Sequence, residues 1–163
     1  STAVLWNRQI RARDQKNLIR RIASRNPALD PIRIFINCPG GNCTDSFSIM
    51  DTILCCKSPV ITIVDGMAAS GATFISLAGE KRLITPHSYM LIHQLSAIHG
   101  GSFRELKDEM QNSQKVMDTM LSIYRQRTKL GEDALQHLIN HDLILTAEEC
   151  ILHGLADEIY GGL

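Results

Sequence analysis

The sequence predicts an α/β layered fold with a mainly parallel sheet, and three observations predict it. Short apolar runs alternate with amphipathic stretches along the whole chain, the pattern of strands connected by helices. Two of those runs, IRIFIN at 32–37 and VITIV at 60–64, are apolar at nearly every position, as strands covered on both faces are. The 163 residues and 18.1 kDa contain neither linker nor repeat, which is the size of one domain, so 1–163 reads as a single unit.

In chain order, residues 3–6 read as a short strand. Residues 14–24 read as a helix with Leu18, Ile19 and Ile22 on one side, ended by Asn26-Pro27. IRIFIN is a buried strand bounded by Pro31 and by Pro39-Gly40-Gly41. Residues 45–57 carry Ile49, Met50, Ile53 and Leu54 at helical spacing, and Ser58-Pro59 stops them. VITIV is the central strand; residues 66–70 then turn the chain into a helix over 71–78. Residues 82–84 and 89–92 are two more short strands. A long helix follows over 103–127, with Leu106, Met110, Met117, Leu121 and Tyr124 as an apolar stripe facing the core or another subunit. Helices over 133–140 and 147–153 and a last strand over 156–160 complete the chain.

Composition narrows the function. Lys plus Arg and Asp plus Glu number 17 each, so the net charge is zero and exerts no long-range pull on nucleic acid or an anionic membrane. Zero net charge also removes a repulsion that keeps small proteins monomeric, which favours assembly. The five cysteines are odd in number, include an adjacent pair and form no CxxC; they read as reduced, mostly buried thiols rather than disulfides or metal ligands. No apolar run approaches the ~20 residues of a membrane span, and STAVLWNRQIRARD lacks a signal-peptide apolar region, so a cytoplasmic location is expected.

Three loops after apolar strands hold the unusual residues, and in open α/β sheets sites assemble at such strand ends. Asn37-Cys38-Pro39-Gly40-Gly41 can bring backbone N–H groups close to a ligand, although a plain tight turn has the same spelling. In Asp65-Gly-Met-Ala-Ala-Ser70-Gly-Ala, small neighbours let a serine expose its hydroxyl at a strand-to-helix turn, where a helix start favours developing negative charge. Helix capping is the commoner role of a serine there. His93 ends the apolar run SYMLI and could take a serine proton, where a hydrogen-bonded structural histidine is commoner. Chemistry alone leaves the orienting acid open among Asp142, Asp157, Asp65 and Asp133.

Four segments together resemble the Clp protease proteolytic subunit family: INCPGG at 36–41, DGMAASGA at 65–72, YMLIHQ at 89–94 and DLILTAEECILHGLADEI at 142–159. The resemblance runs in register from about residue 30 to the end, with a small deletion near Glu80-Lys81. It implies the crotonase-type layered fold with a protruding strand-helix handle over 96–109. It implies Ser70 as nucleophile, His93 as general base and Asp142 as its orienting acid, with the N–H groups of Gly41 and Gly71 as the oxyanion hole. Gly40, Asn42, Gly100 and Gly101 would line the path of an extended peptide substrate. No metal or cofactor is implied.

The resemblance further implies heptameric rings stacked face to face as a tetradecamer, fed with unfolded polypeptide by a separate ATP-driven AAA+ unfoldase. The chain carries no GxxxxGK[ST] of its own, so it should not hydrolyse ATP. Some positions depart from the family pattern. About a dozen residues precede the first helix, so the axial loop that meets the unfoldase is expected to be reduced. Leu95 stands where proline is usual, and Gly71 where methionine is frequent. Ser70-Gly71-Ala72 is closer to signal peptide peptidase-type relatives with a Ser-Lys dyad. The intact His93 and Asp142 contexts rank that reading lower, together with a crotonase-type acyl-CoA enzyme and a silent ring subunit.

Overall fold

A computed structural model of the chain describes residues 2–5, 17, 20 and 31–161. The helix expected over 14–24 and the reduced axial segment lie outside the described residues, apart from Asn17 and Arg20, which are helical. The mixed α/β architecture is present. Strands β1 (Thr2–Leu5), β2 (Ile32–Cys38), β3 (Val60–Ala69), β4 (Lys81–Ile84) and β7 (Glu158–Ile159) lie side by side in the order β1-β2-β3-β4-β7, every pair parallel. Between them run helices α1 (Cys43–Leu54), α2 (Gly71–Leu77), α3 (Phe103–Arg127), α4 (Glu132–Ile139) and α5 (Ala147–Leu152).

Ile34, Ile36, Ile63 and Val64 are fully buried, as strands between two helical layers require. Of these, Ile34, Ile36 and Val64 meet Ile49 and Ile53 of α1, Phe74, Ile75 and Leu77 of α2, and Met120 and Tyr124 of α3 in one core. β4 begins at Lys81 soon after α2 ends at Leu77, with Glu80 N–H bonded to Val60 O at 2.8 Å.

The central strand departs from expectation in a way that matters for the site. The turn expected over 66–70 does not form; β3 continues to Ala69 and only then breaks. Its first half pairs with β4 (Ile61↔Lys81 to Val64↔Ile84) and its second half with β5 (Tyr89–Leu91; Met67↔Tyr89 to Ala69↔Leu91). The change of partner coincides with a bulge against β2. Ile36 faces Val64 but Cys38 faces Ala68, so Asn37 alone spans residues 65–67. Gly66 makes this possible: at φ 113° it passes Asn37 so closely that a Cβ would stand 2.9 Å from that side chain. A short strand not anticipated in the sequence, β6 (Ile144–Leu145), runs antiparallel to β5.

The handle is half formed. Helix α3 starts at Phe103 behind a capping box between Ser102 and Glu105. Of its stripe, Tyr124 is buried and Met117 and Leu121 are half-buried, whereas Leu106 and Met110 are exposed and Phe103 is 86% accessible. The strand expected around Gly100-Gly101 is absent: residues 92–100 have no regular structure and are exposed from Ser96 onward. His99 instead leans on α3, 3.2 Å from Ser113 Oγ and 3.6 Å from Glu109. The cysteines also differ from expectation. Cys38 and Cys150 are buried, but Cys43 and Cys56 are only half-buried and Cys55 is exposed at the end of α1, where the core no longer covers the helix.

Candidate active site

The break after β3 is made by small residues. Ala68 and Ala69 end the strand, Ser70 turns, and Gly71-Ala72 begin α2, all but Ser70 and its hydroxyl buried in tight packing. Ser70 has φ 53° and ψ −126°, and it is the one non-glycine residue with positive φ among those described. Such a conformation costs on the order of 1–3 kcal/mol and persists only where the surroundings hold it. Three hydrogen bonds do so. Ser70 N–H donates to Leu91 O at 2.9 Å, and Ser70 O accepts from Thr73 N at 2.9 Å and Thr73 Oγ1 at 2.6 Å. Ser70 occupies the cap position of α2, yet its hydroxyl makes no capping bond. The ordinary use of a serine here is therefore not the one made of it.

The Gly40-Gly41 loop packs onto this turn. A Cβ on Gly40 would stand 2.6 Å from Ala69 O, 2.7 Å from Ser70 Cβ and 3.1 Å from Gly71 N, and φ is +98°. Only glycine fits. Gly71 is equally constrained, since its Cβ would run into Ser46 Oγ of α1, which donates to Asn42 O at 2.8 Å; Gly41 O lies 3.6 Å from that Cβ position. Gly40, Gly41 and Gly71 are thus brought to one place beside Ser70. Cys38 secures the loop from below: its Sγ accepts from Gly40 N–H at 3.4 Å and approaches Gly40 O at 3.7 Å.

His93 follows β5 by two residues and is half-buried. The bond from Ser70 to Leu91 places the serine at the same strand end. Across β5, Leu91 faces Ile144 and Met90 faces Leu145, so the chain leaving β5 runs on to His93 beside the short strand that follows Asp142. Asp142 is exposed, and among the described residues no hydrogen bond yet joins the side chains of Ser70, His93 and Asp142. The other acids stand elsewhere. Asp65 lies mid-strand and exposed, and Asp133 is in the first turn of α4. Asp157 is committed to Arg82: partial burial opposes its ionisation, but bonds from the Arg82 side chain and backbone outweigh that and hold its carboxyl below the usual range. That pair lines an open polar cavity of about 310 Å³ with Glu80 and Arg127, at the far end of the sheet from Ser70.

Three of the four expected substrate contacts are used differently or stand apart. The Asn42 side chain caps α1, accepting from Asp45 N at 3.1 Å and from Thr44 Oγ1 at 2.6 Å. Gly100 and Gly101 lie on the exposed connection, Gly101 against Glu105. Ser46 and Thr73 do not stand out in the sequence, and Tyr124 does so only as one of the α3 stripe; a threonine three positions after the serine, at the start of a helix, is the available signal.

Comparison with known proteins decides the family. The family model described as Clp protease matches residues 3–162. The chain belongs to the Clp protease family. An ATP-dependent Clp protease proteolytic subunit of Deinococcus radiodurans is 36% identical over 138 residues, 83% of this chain and 67% of the relative. The ATP-dependent Clp protease proteolytic subunit 1 of Protochlamydia amoebophila is 36% identical over 133 residues, 79% of this chain and 65% of the relative. The chain thus spans about two thirds of the length of these curated relatives. Clp proteolytic subunits are serine endopeptidases, and the mixed α/β sheet with its strained serine is consistent with that chemistry. Among the described residues, no helix is long and apolar enough to cross a membrane.

Proposed function

We propose that the chain is a single peptidase domain over 1–163 that hydrolyses peptide bonds with Ser70 as nucleophile. His93 takes the Ser70 proton as the hydroxyl attacks the carbonyl, then gives it to the leaving amine. Asp142 orients the imidazole and stabilises its cation. The N–H groups of Gly41 and Gly71 receive the oxyanion, each such donor being worth about 3–4 kcal/mol of barrier. An extended peptide would lie along Gly40 and the main chain of Asn42, with Gly100 and Gly101 pairing to it as an added strand.

The observation that carries this reading is Ser70 itself: a serine in a left-handed turn at a cap position, held by main-chain bonds, with a hydroxyl that caps nothing. Catalytic hydrogen bonds tighten when substrate binds, so the reading does not require them beforehand. The exposed Ile98, Phe103 and Met110 at the α3 start support assembly through the handle. Seven subunits per ring, two rings face to face and an AAA+ unfoldase that delivers unfolded protein complete the proposal, in the cytoplasm.

Peptide turnover tests it. Ser70→Ala should abolish hydrolysis while leaving the assembly's mass and circular dichroism unchanged. Asp142→Asn should keep substrate binding and lower kcat by up to about 10⁴-fold through the wrong imidazole tautomer. Turnover by Ser70→Ala would remove the nucleophile assignment, and an unchanged kcat in Asp142→Asn would move the acid elsewhere.

A further inference from the structure

Tyr124 and Thr73 form a buried polar pair that the proposed chemistry does not use. Both are fully buried, one on α3 and one on α2, and their hydroxyl oxygens are 2.6 Å apart. Hydrogen accounting orients them. Ser70 O can only accept, and Thr73 Oγ1 lies 2.6 Å from it, so the single Thr73 hydroxyl proton goes to Ser70 O. Thr73 must then accept from Tyr124, whose O–H is the only proton left for the contact. Burial raises the Tyr124 phenol well above its ordinary value, which keeps it protonated as this direction requires. The Tyr124 ring is itself fixed, stacked at 5.2 Å on Phe74, which in turn meets Phe47 at 5.2 Å.

We propose that Tyr124 is a positioning residue that acts through Thr73 on the Ser70 carbonyl and so holds the left-handed turn carrying the Ser70 hydroxyl. The inference rests on Ser70 being the nucleophile and deepens that reading. The strain at Ser70 needs restraint on both sides of the residue. The Leu91 carbonyl holds its N–H, and the Thr73 backbone and hydroxyl hold its C=O. A donor that is already donated to strengthens its own bond, so the phenol tightens the Thr73 contact without touching Ser70. Chemistry at Ser70 is sensitive to such restraint because a displacement of about 1 Å at a reacting atom costs on the order of 10²-fold in rate.

The test is a double-mutant cycle on the full chain with Tyr124→Phe and Thr73→Val, both of nearly unchanged volume. Steady-state peptide turnover is measured together with the second-order rate constant for Ser70 labelling by a fluorophosphonate, a quantity that loss of folded protein does not alter. Tyr124→Phe should lower kcat and the labelling constant about tenfold, with KM within about twofold. Thr73→Val should lower both at least as much, and the double variant should lose no more than Thr73→Val alone, because the phenol acts only through Thr73. Labelling and kcat within twofold of wild type in Tyr124→Phe overturn the proposal, and so do losses that multiply in the double variant. Ser70→Ala, measured alongside, separates the two levels: if it remains active the nucleophile assignment fails, and if it is inert while Tyr124→Phe is unimpaired only the positioning role falls.

Discussion

Replacing Gly40 by alanine should damage the site out of proportion to the one carbon added. The residue has φ +98°, and the new Cβ would sit 2.6 Å from Ala69 O and 2.7 Å from Ser70 Cβ. Neither neighbour is the free end of a flexible chain; both belong to the turn. To reach an ordinary contact of about 3.4 Å, the loop and the turn must part by about 0.8 Å. The backbone strain costs about 1–3 kcal/mol and the overpacking about 1–3 kcal/mol more. A total near 4 kcal/mol corresponds to a fall in Tm of roughly 8–16 °C for a chain of this length. The same parting moves Ser70 against the Gly41 and Gly71 N–H groups, so kcat should drop about 30- to 100-fold in the molecules that stay folded. Thermal melting followed by circular dichroism reads the first effect, and peptide turnover well below the melting range reads the second. Gly131→Ala is the control, since nothing lies within 4 Å of a Cβ there. A Gly40→Ala variant that melts within 2 °C of wild type and keeps a third of its kcat would refute the packing argument.

Two further outcomes follow from the polar and thiol chemistry. Asp157 has a folded-state pKa below its unfolded value, so its stabilising contribution is fully present above the unfolded pKa of about 3.9 and is lost as pH falls through the lower folded value. Asp157→Asn should therefore melt below wild type at about pH 6, with the gap closing towards about pH 3; a gap that widens on acidification contradicts the ion pair with Arg82. Burial pushes the Cys150 thiol up to about 12, while Cys55 is exposed. A disulfide reagent at mildly alkaline pH should consume Cys55 in a fast phase, abolished by Cys55→Ser, and reach Cys38 and Cys150 only on unfolding. Native-state labelling of Cys150 would contradict its burial.

Much of this was legible in the residues, and the gaps have physical causes. Helix α3 lies where the apolar stripe predicts it, over Phe103–Arg127, because a helical period is local. The extent of β3 was not legible. Gly66 reads as a turn, yet it is the point where the strand slips past Asn37 and exchanges β4 for β5, a tertiary fact that no neighbouring residue encodes. Strand β6 is two residues long and too short to show a period. The half-exposed stripe of α3 has helical spacing throughout, but spacing does not say how much of a face another chain must cover. At the site, the glycine loops and Ser70 could be read from small residues at strand ends. The support from Thr73 and Tyr124 could not, since the two stand 51 positions apart and meet only through packing. The role of the Asn42 side chain as the cap of α1 was not legible either, because a cap is recognised only once the helix start is known.

The most direct test of Ser70 as an activated nucleophile is intact mass after fluorophosphonate treatment of the wild type and of Ser70→Ala. The account predicts one adduct on the wild-type chain and none on the variant. A folded wild-type chain that gains no adduct, or an adduct that persists in Ser70→Ala, would contradict it.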